Sequence, residues 1–254
     1  MKTPLKSPLV DNKCTAVLKR IIPKNSVVHS FLFYDGAIEM DLCRSKRFVV
    51  AHTNKYVTYE FWQCLLSNPE NVAAVAEHFY PIENKNVFFI LQENWLKYAD
   101  PFVRSGLFFL LNRGSDSSFV SSGELVDNPE TAKVISNMKN FVCENFHLLF
   151  DKDESFIESI QKLDIRCDYV FLKAGSFSLN LFEDGKSLGF EQNNVIHKDI
   201  KHMLQTMDKK IIVHYKFSES VLEYYKQFNV HIIDKWGRKT DVTKFAQEVL
   251  VANF

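Results

Sequence analysis

The sequence lacks long apolar runs and closely spaced cysteines. Its longest uncharged apolar runs, 88–91 and 107–111, are far shorter than the roughly 20 residues that span a bilayer, which excludes a membrane protein. The N-terminal residues contain no apolar stretch of about 7–15 residues, so we expect no secretory signal. The five cysteines stand singly, with no pair at the spacing of a zinc site, so we expect reduced buried thiols and no metal.

Aromatic composition is uneven, with 23 Phe against 3 Trp. Together with many Asn and Lys, this is compatible with an AT-rich coding sequence from a phage or a small bacterial genome. We therefore expect a cytoplasmic protein of a bacterium or a phage-infected cell, or a virion-associated one.

The charge balances overall but not along the chain. The 254 residues include 46% hydrophobic ones, enough for one large domain or one domain with an insertion. Residues 1–55 hold ten Lys/Arg against four Asp/Glu, 56–191 hold eleven against twenty, and 192–254 hold ten against seven. Because binding along nucleic acid needs clustered cations, the acidic middle favours a protein partner, with DNA the alternative.

Strand and helix signals alternate at both ends of the chain. The first 55 residues contain a helix (16–22), a strand (27–33), a short helical turn (38–42) and a strand (48–51). A compact βαβ unit of this kind favours a parallel sheet. Helices are predicted at 56–66 and 71–79, whereas 87–98 and 103–111 could each be helix or strand.

The C-terminal third continues the alternation. It contains strands at 167–172, 210–215 and 230–233, helices at 194–207 and 218–227, and a final apolar run at 248–254. These signals predict an α/β protein with a Rossmann-like, mostly parallel sheet and helices on both faces. The core would be formed by residues 1–55 and 161–254, with a mainly helical insertion at 56–160.

Six segments, taken in order, resemble one enzyme family. They are Ser7-Pro8-Leu9 with Lys13, the loop 32–37, the strand end 49–54, the stretch 108–113 with 122–125, the strand 168–172 followed by 173–176, and the elements from 196 onward. This order is similar to that of the Dam-type adenine-specific DNA methyltransferases of the alpha class. The resemblance implies a methyltransferase fold, a target-recognition insertion and S-adenosylmethionine as cofactor.

The catalytic positions of that family are altered here. Lys173, Ala174, Gly175 and Ser176 stand where the family has Asp-Pro-Pro-Tyr. Methyl transfer to an adenine amino group needs hydrogen-bond acceptors and an aromatic face for the flipped base. A lysine only donates and carries the same charge sign as the sulfonium, and serine has no ring. We therefore expect no catalysis of the family type.

The cofactor positions are altered as well. The corresponding residues are Lys13, Phe33, Tyr34, Asp35, Gly36, Ala37 and His52. Asp35 and Ala37 place side chains where the family has glycines, and His52 replaces the acid that accepts the ribose hydroxyls. We therefore expect no bound cofactor, with S-adenosylmethionine binding doubtful.

Other polar groups have two interpretations each. Asn112, Arg113 and Ser115 would contact DNA if target recognition is retained, and would otherwise form a polar loop. His197 and His202 are five residues apart, a spacing that disfavours a metal pair on one helix face. A scattered basic set either touches phosphate or forms a solvated face. Its members are Lys209, Lys210, Lys216, Lys235, Arg238 and Lys239.

The sequence therefore predicts a catalytically inactive methyltransferase-like protein that serves binding. The expected role is a protein-interaction or structural component of a larger assembly, such as a phage assembly. One alternative is a DNA-binding module that retains recognition without catalysis. Another is an active S-adenosylmethionine-dependent DNA adenine methyltransferase with a divergent site.

Overall fold

Seven strands form one sheet at the centre of the molecule. The structure, a computed structural model, describes residues 3–7, 12–152, 155–163, 166–177 and 196–254. The strands are β1 (Val27–Phe31), β2 (Phe48–Thr53), β3 (Phe146–Phe150), β4 (Tyr169–Gly175), β5 (Ile211–Lys216), β6 (Asn229–Asp234) and β7 (Ala246–Ala252). Their order is β3-β2-β1-β4-β5-β7-β6. All neighbours are parallel except that β7 is antiparallel to β5 and β6, which confirms the predicted Rossmann-like methyltransferase fold.

Ten described α-helices connect these strands. They are α1 (Thr15–Ile21), α2 (Ala37–Arg44), α3 (Tyr56–Ser67), α4 (Pro69–Phe79), α5 (Lys85–Asn94), α6 (Pro101–Gly114), α7 (Thr131–Met138), α8 (Phe156–Gln161), α9 (His197–Thr206) and α10 (Glu219–Tyr224). Helices α3 to α7 lie between β2 and β3, so the helical insertion enters the chain after the second strand. None of the described helices is long and apolar enough to cross a bilayer.

Both segments that could have been helix or strand are helices. Asn84 and Asp100 explain why, because each side chain accepts a hydrogen bond from a backbone amide of the first turn, at 2.8 Å in both cases. Pro101 then occupies the first position of α6, where its missing N–H costs nothing. Helix capping thus favours helix over strand in the two segments for which apolar periodicity allows both.

Strand β3, like helices α7 and α8, is not predicted by the sequence analysis. It lies inside segment 56–160, which was expected to be an insertion, yet it pairs with β2 along its whole length. Its burial alternates, with Phe146 and Leu148 inside and His147 and Leu149 outside. The sheet therefore includes residues 146–150. The predicted helix from 194 begins at His197 among the described residues, and residues 194 and 195, together with Pro8, Leu9 and Asp11, lie outside them.

The two faces of the sheet bury two apolar clusters. Alternate residues of β4 point to opposite faces, so Phe171 joins one cluster and Leu172 the other. The cluster that contains Phe171 is continuous with the insertion helices through Phe61 and Trp62 of α3. The insertion and the sheet consequently share one core.

Candidate functional site

The centre of the sheet creates a natural binding position. From β1 the chain continues to one side, to β2, and from β4 it continues to the other side, to β5. Ligands of open α/β sheets bind outside the carboxyl ends of the strands at such a reversal of strand order. The two segments that flank this switch point are 32–37, after β1, and 173–177, at the end of β4.

The loop after β1 is held in a fixed shape. Gly36 has φ +68°, and a Cβ at this position would lie 2.7 Å from the Trp62 ring. The indole N–H of Trp62 donates to the backbone carbonyl of Tyr34 at 2.8 Å. The side chain of Asp35 accepts a hydrogen bond from the Ala37 amide at 2.8 Å. Packing against α3 therefore explains the one glycine that this loop retains.

Asp35 and Lys173 form a buried ion pair across the switch point. The Lys173 ammonium donates to one carboxylate oxygen of Asp35, and both side chains are almost completely excluded from solvent. The other carboxylate oxygen also accepts from the Asn12 side chain at 3.4 Å. The ammonium at the end of β4 is thus paired with a carboxylate from the end of β1.

Two acceptor atoms near this pair lack hydrogen-bond partners. The Ser30 hydroxyl donates to Glu39 Oε1 at 2.6 Å, whereas the buried Oε2 of Glu39 has no partner among the described residues. The same holds, within that part of the chain, for Oδ1 of Asn12. Burial raises the pKa of Glu39, and the nearby charge of Lys173 opposes that rise. Unpartnered buried acceptors are costly, which makes them candidate ligand contacts.

A second carboxylate reaches the end of β2 from the end of β3. His52 Nδ1 lies 3.0 Å from the nearer carboxylate oxygen of Asp151, whose side chain is 17% exposed. His52 Nε2 lies 3.0 Å from Nδ1 of His29, and His29 Nε2 lies 3.2 Å from the carbonyl of Arg166. A carboxylate from a residue 99 positions away in the sequence therefore lies beside His52, where the resembled family has its acid.

The hydrogen bonds of His29 and His52 can be compared with the number of N–H groups on the two rings. Both ends of this chain, Asp151 and the Arg166 carbonyl, are acceptors, so three hydrogen bonds need three N–H groups. Two neutral imidazoles provide only two. Burial, followed by the nearby His52, lowers the pKa of His29 to about 4. With both rings neutral, one of the three contacts therefore has no proton to share.

An aromatic ring follows the altered catalytic positions directly. Phe177 stacks on His197 with ring centroids 4.2 Å apart. Tyr215 and Tyr225 pack beside it, and their hydroxyls are 2.8 Å apart. The ring that Ser176 lacks is thus present one residue later, although it packs within an aromatic cluster.

Lys13 lies next to a buried charge cluster that the sequence analysis missed. The Glu248 carboxylate accepts from the amides of Lys13 and Cys14 at 2.9 and 2.8 Å, and lies 3.0 Å from Nε2 of His214. Burial alone would raise the pKa of Glu248, but these contacts lower it to about 2. Lys13 therefore contributes its backbone to the start of α1. The ligand atoms of Cys14, His214 and Glu248 also lie within 4.8 Å of one another.

Asn112, Arg113 and Ser115 are buried in the structure. Asn112 accepts from the amide of Lys6 at 2.8 Å, and Arg113 donates to the carbonyl of Pro4 at 3.0 Å. The Ser115 hydroxyl donates to the carbonyl of Ser122 at 2.7 Å. The first two anchor the N-terminal segment on α6. A DNA contact by these side chains stays a prediction, and it would require them to leave their present partners.

Comparison with known proteins yields structural similarity only. No protein-family profile matches the chain, and no curated protein does. Among solved structures, a protein from Streptococcus mutans assigned as a methyltransferase, in complex with SAH, is 10% identical, with 98% of both chains covered and a TM-score of 0.38. An rRNA methylase from Streptococcus thermophilus is 10% identical, with 97% of this chain and 96% of the other covered and a TM-score of 0.37. A precorrin-8w decarboxylase from Methanobacterium thermoautotrophicum is 11% identical, with 99% and 95% covered and a TM-score of 0.36.

Two predictions are corrected at this point. The sequence analysis expected no enzyme and no cofactor, with degenerate positions at 33–37, His52 and 173–176. The structural neighbour from S. mutans is in complex with SAH, so neither absence is kept as a conclusion. The charge argument against catalysis also fails, because Lys173 is not an isolated cation: Asp35 pairs with it. Both predictions are withdrawn.

Proposed function

We propose that the protein is an S-adenosylmethionine-dependent methyltransferase whose cofactor binds at the switch point between β1 and β4. The observation that carries this proposal is the convergence of acidic and unpartnered acceptor groups there. Asp35 and Glu39 come from the first βα unit, and Asp151 reaches the neighbouring strand end. These groups supply what the altered sequence motifs lack.

The residues fit the chemical groups of the cofactor. S-adenosylmethionine carries an ammonium, a carboxylate, two ribose hydroxyls and a sulfonium, and when bound it supplies an electrophilic methyl group. The unpartnered oxygens of Glu39 and Asn12 can accept hydrogen bonds from its donors. Asp151 can accept from the ribose hydroxyls, the role that the acid after the second strand has in dinucleotide-binding folds. Because Asp35 pairs with Lys173, the end of β4 does not present a net positive charge to a sulfonium.

The methyl acceptor follows from the family resemblance. Adenine in DNA, implied by the resemblance, stays a prediction, because the four positions of the family motif read 173–176 without its Asp and Tyr. A protein partner also stays a prediction, supported by the acidic insertion. Burial of Asn112 and Arg113 means that an acceptor surface has to be found elsewhere in the molecule.

Isothermal titration calorimetry with S-adenosylmethionine tests the proposed cofactor site. The wild-type chain should bind in the micromolar range. Asp151→Asn should weaken binding about tenfold or more, because a hydrogen bond to a charged group contributes about 1.5–3 kcal/mol. Asp41→Asn is the matched control, since Asp41 lies on α2 and pairs with Lys19, away from the switch point.

Thermal unfolding of each variant separates lost binding from lost folding. Asp151 is partly exposed, so its substitution should leave the melting temperature close to that of the wild type. If the folded wild-type protein gives no binding heat with millimolar S-adenosylmethionine, the proposal is wrong. It is equally wrong if Asp151→Asn and Asp41→Asn bind alike.

A further inference from the structure

The hairpin between β6 and β7 lies at the same edge of the sheet as the candidate cofactor site. Strand β7 is antiparallel to both β5 and β6, so β6 ends where β5, β4 and β1 end. The hairpin comprises residues 235–245, which follow β6 and lead into β7. Whatever binds to it is therefore on the catalytic side of the sheet.

Two exposed aromatic rings form the surface of this hairpin. Trp236 is 58% exposed and Phe245 is 38% exposed, with ring centroids 5.7 Å apart. The Lys235 ammonium lies 4.6 Å from the centre of the Trp236 ring. Trp62 and Trp95, by contrast, are buried. An exposed indole beside a cation can stack on an aromatic ring of a ligand.

The hairpin is also strongly basic. It contains four cations, Lys235, Arg238, Lys239 and Lys244, against one acid, Asp241. All four cations are exposed, and none forms an ion pair with a carboxylate of the described residues. A polyanion is the charge-complementary partner of such a surface.

Internal hydrogen bonds make the hairpin rigid. The Asp234 carboxylate accepts from the amides of Trp236 and Arg238 at 2.8 and 2.9 Å, and the Lys235 amide donates to the carbonyl of Phe245 at 3.1 Å. Gly237 has φ +78°, a conformation that glycine adopts without strain. The rings are thus pre-organised, which reduces the entropy lost on binding.

The same turn is docked against the cofactor side of the molecule. A Cβ at Gly237 would lie 2.7 Å from the carbonyl oxygen of Lys13. The neighbouring residue, Asn12, donates to Asp35 at the switch point. Only two residues therefore separate the hairpin from the Asp35–Lys173 pair.

We infer that the 235–245 hairpin is a docking surface for single-stranded nucleic acid, with bases stacking on Trp236 and Phe245 and phosphates contacting the surrounding cations. Aromatic rings interleaved with cations are the combination that binds single strands without requiring a base sequence. That the docked strand is also the methyl acceptor rests on the proposed function. The binding itself does not.

Fluorescence anisotropy with labelled 20-nucleotide oligonucleotides tests this surface. Single-stranded DNA, single-stranded RNA and a DNA duplex are compared at about 50 and 200 mM salt. The wild type should bind a single strand more tightly than the duplex, and higher salt should weaken binding. Trp236→Ala should weaken single-strand binding about tenfold, because one stacked base is lost. Lys235→Ala with Lys239→Ala should reduce the salt dependence.

Matched controls use the same residue types elsewhere on the surface. Phe89→Ala removes a ring that is 45% exposed on α5, and Lys133→Ala removes an exposed cation on α7. Neither should change affinity. Quenching of intrinsic fluorescence by the oligonucleotide should disappear in Trp236→Phe, because the other two tryptophans are buried.

The outcomes separate the two proposals. Binding of single-stranded DNA or RNA supports the surface. A preference for one of them identifies the source of the strand, and equal affinity shows that the surface does not distinguish the two sugars. No binding at low salt, equal affinity of Trp236→Ala and the wild type, or quenching by anionic vesicles but not by oligonucleotides would overturn it. If the wild-type protein binds the oligonucleotide but not S-adenosylmethionine, the proposed function is wrong and the docking surface is retained.

Discussion

The Asp35–Lys173 pair is a buried charge pair in which each residue depends on the other. Both side chains are almost fully buried, so removal of one partner leaves an uncompensated charge. We expect Lys173→Met to lower the free energy of unfolding by about 3–5 kcal/mol. Urea unfolding followed by circular dichroism measures this loss.

A double variant provides the control for this prediction. Asp35→Leu combined with Lys173→Met removes both charges and should recover most of the lost stability, since apolar replacements of a buried pair are often neutral. A Lys173→Met variant with wild-type stability would show that the buried Asp35 carboxylate does not depend on the ammonium. It would also remove the neutralisation on which the proposed cofactor site relies.

Single residues limit what the sequence can predict about the site. Asp35, Gly36, His52 and Lys173 are correctly located at strand ends by their motif positions. The sequence does not show that Asp35 and Lys173 form an ion pair, because they are 138 residues apart and meet only when β1 pairs with β4. Asp151 carries no local signal, since its partner His52 is 99 residues away.

At the scale of elements, Glu248 joins the start of α1 to β5 and β7. Its carboxylate accepts the Lys13 and Cys14 amides and contacts His214. Glu248→Gln places an amide donor against these donors and should cost about 3 kcal/mol at neutral pH. Glu219→Gln, an exposed position on α10, is the control and should leave stability unchanged.

The pH dependence of this contact has a defined sign. The folded pKa of Glu248 is about 2, below the unfolded value of about 4.3, so its contribution is present above the unfolded value. That contribution is lost as the pH falls from about 4.3 through about 2. The stability difference between wild type and Glu248→Gln should therefore be smaller at about pH 3.5 than at about pH 6. A difference that grows on acidification contradicts the assignment.

Most elements could be predicted because their signals are local. The alternation of apolar segments with caps and prolines identifies β1, β2, β4, β5 and β6 and helices α1 to α4, α9 and α10. Strand β3 is different, because its five residues alternate in burial and lie in segment 56–160, which was expected to be a mainly helical insertion. Only pairing with β2 gives this segment its role, and pairing is not visible in a single sequence.

At the scale of the whole molecule, the insertion and the sheet form one core. Phe33, after β1, packs against Trp62 of α3, and Trp62 also contacts Phe146 of β3. The same apolar cluster continues into α6 through Phe108. The helical segment between β2 and β3 thus completes the burial of one sheet face, and we expect it to unfold together with the sheet.

The positions of the three tryptophans allow this to be measured. Trp62 and Trp95 both belong to the helical segment, and Trp236 belongs to the hairpin. In Trp236→Phe, intrinsic fluorescence therefore reports the helical segment alone, while far-ultraviolet circular dichroism reports the whole chain. Because the two parts share buried contacts, the two urea transitions should coincide in midpoint and slope. A fluorescence transition at clearly lower urea would mean that the helical segment unfolds independently and that the shared core contributes little to its stability.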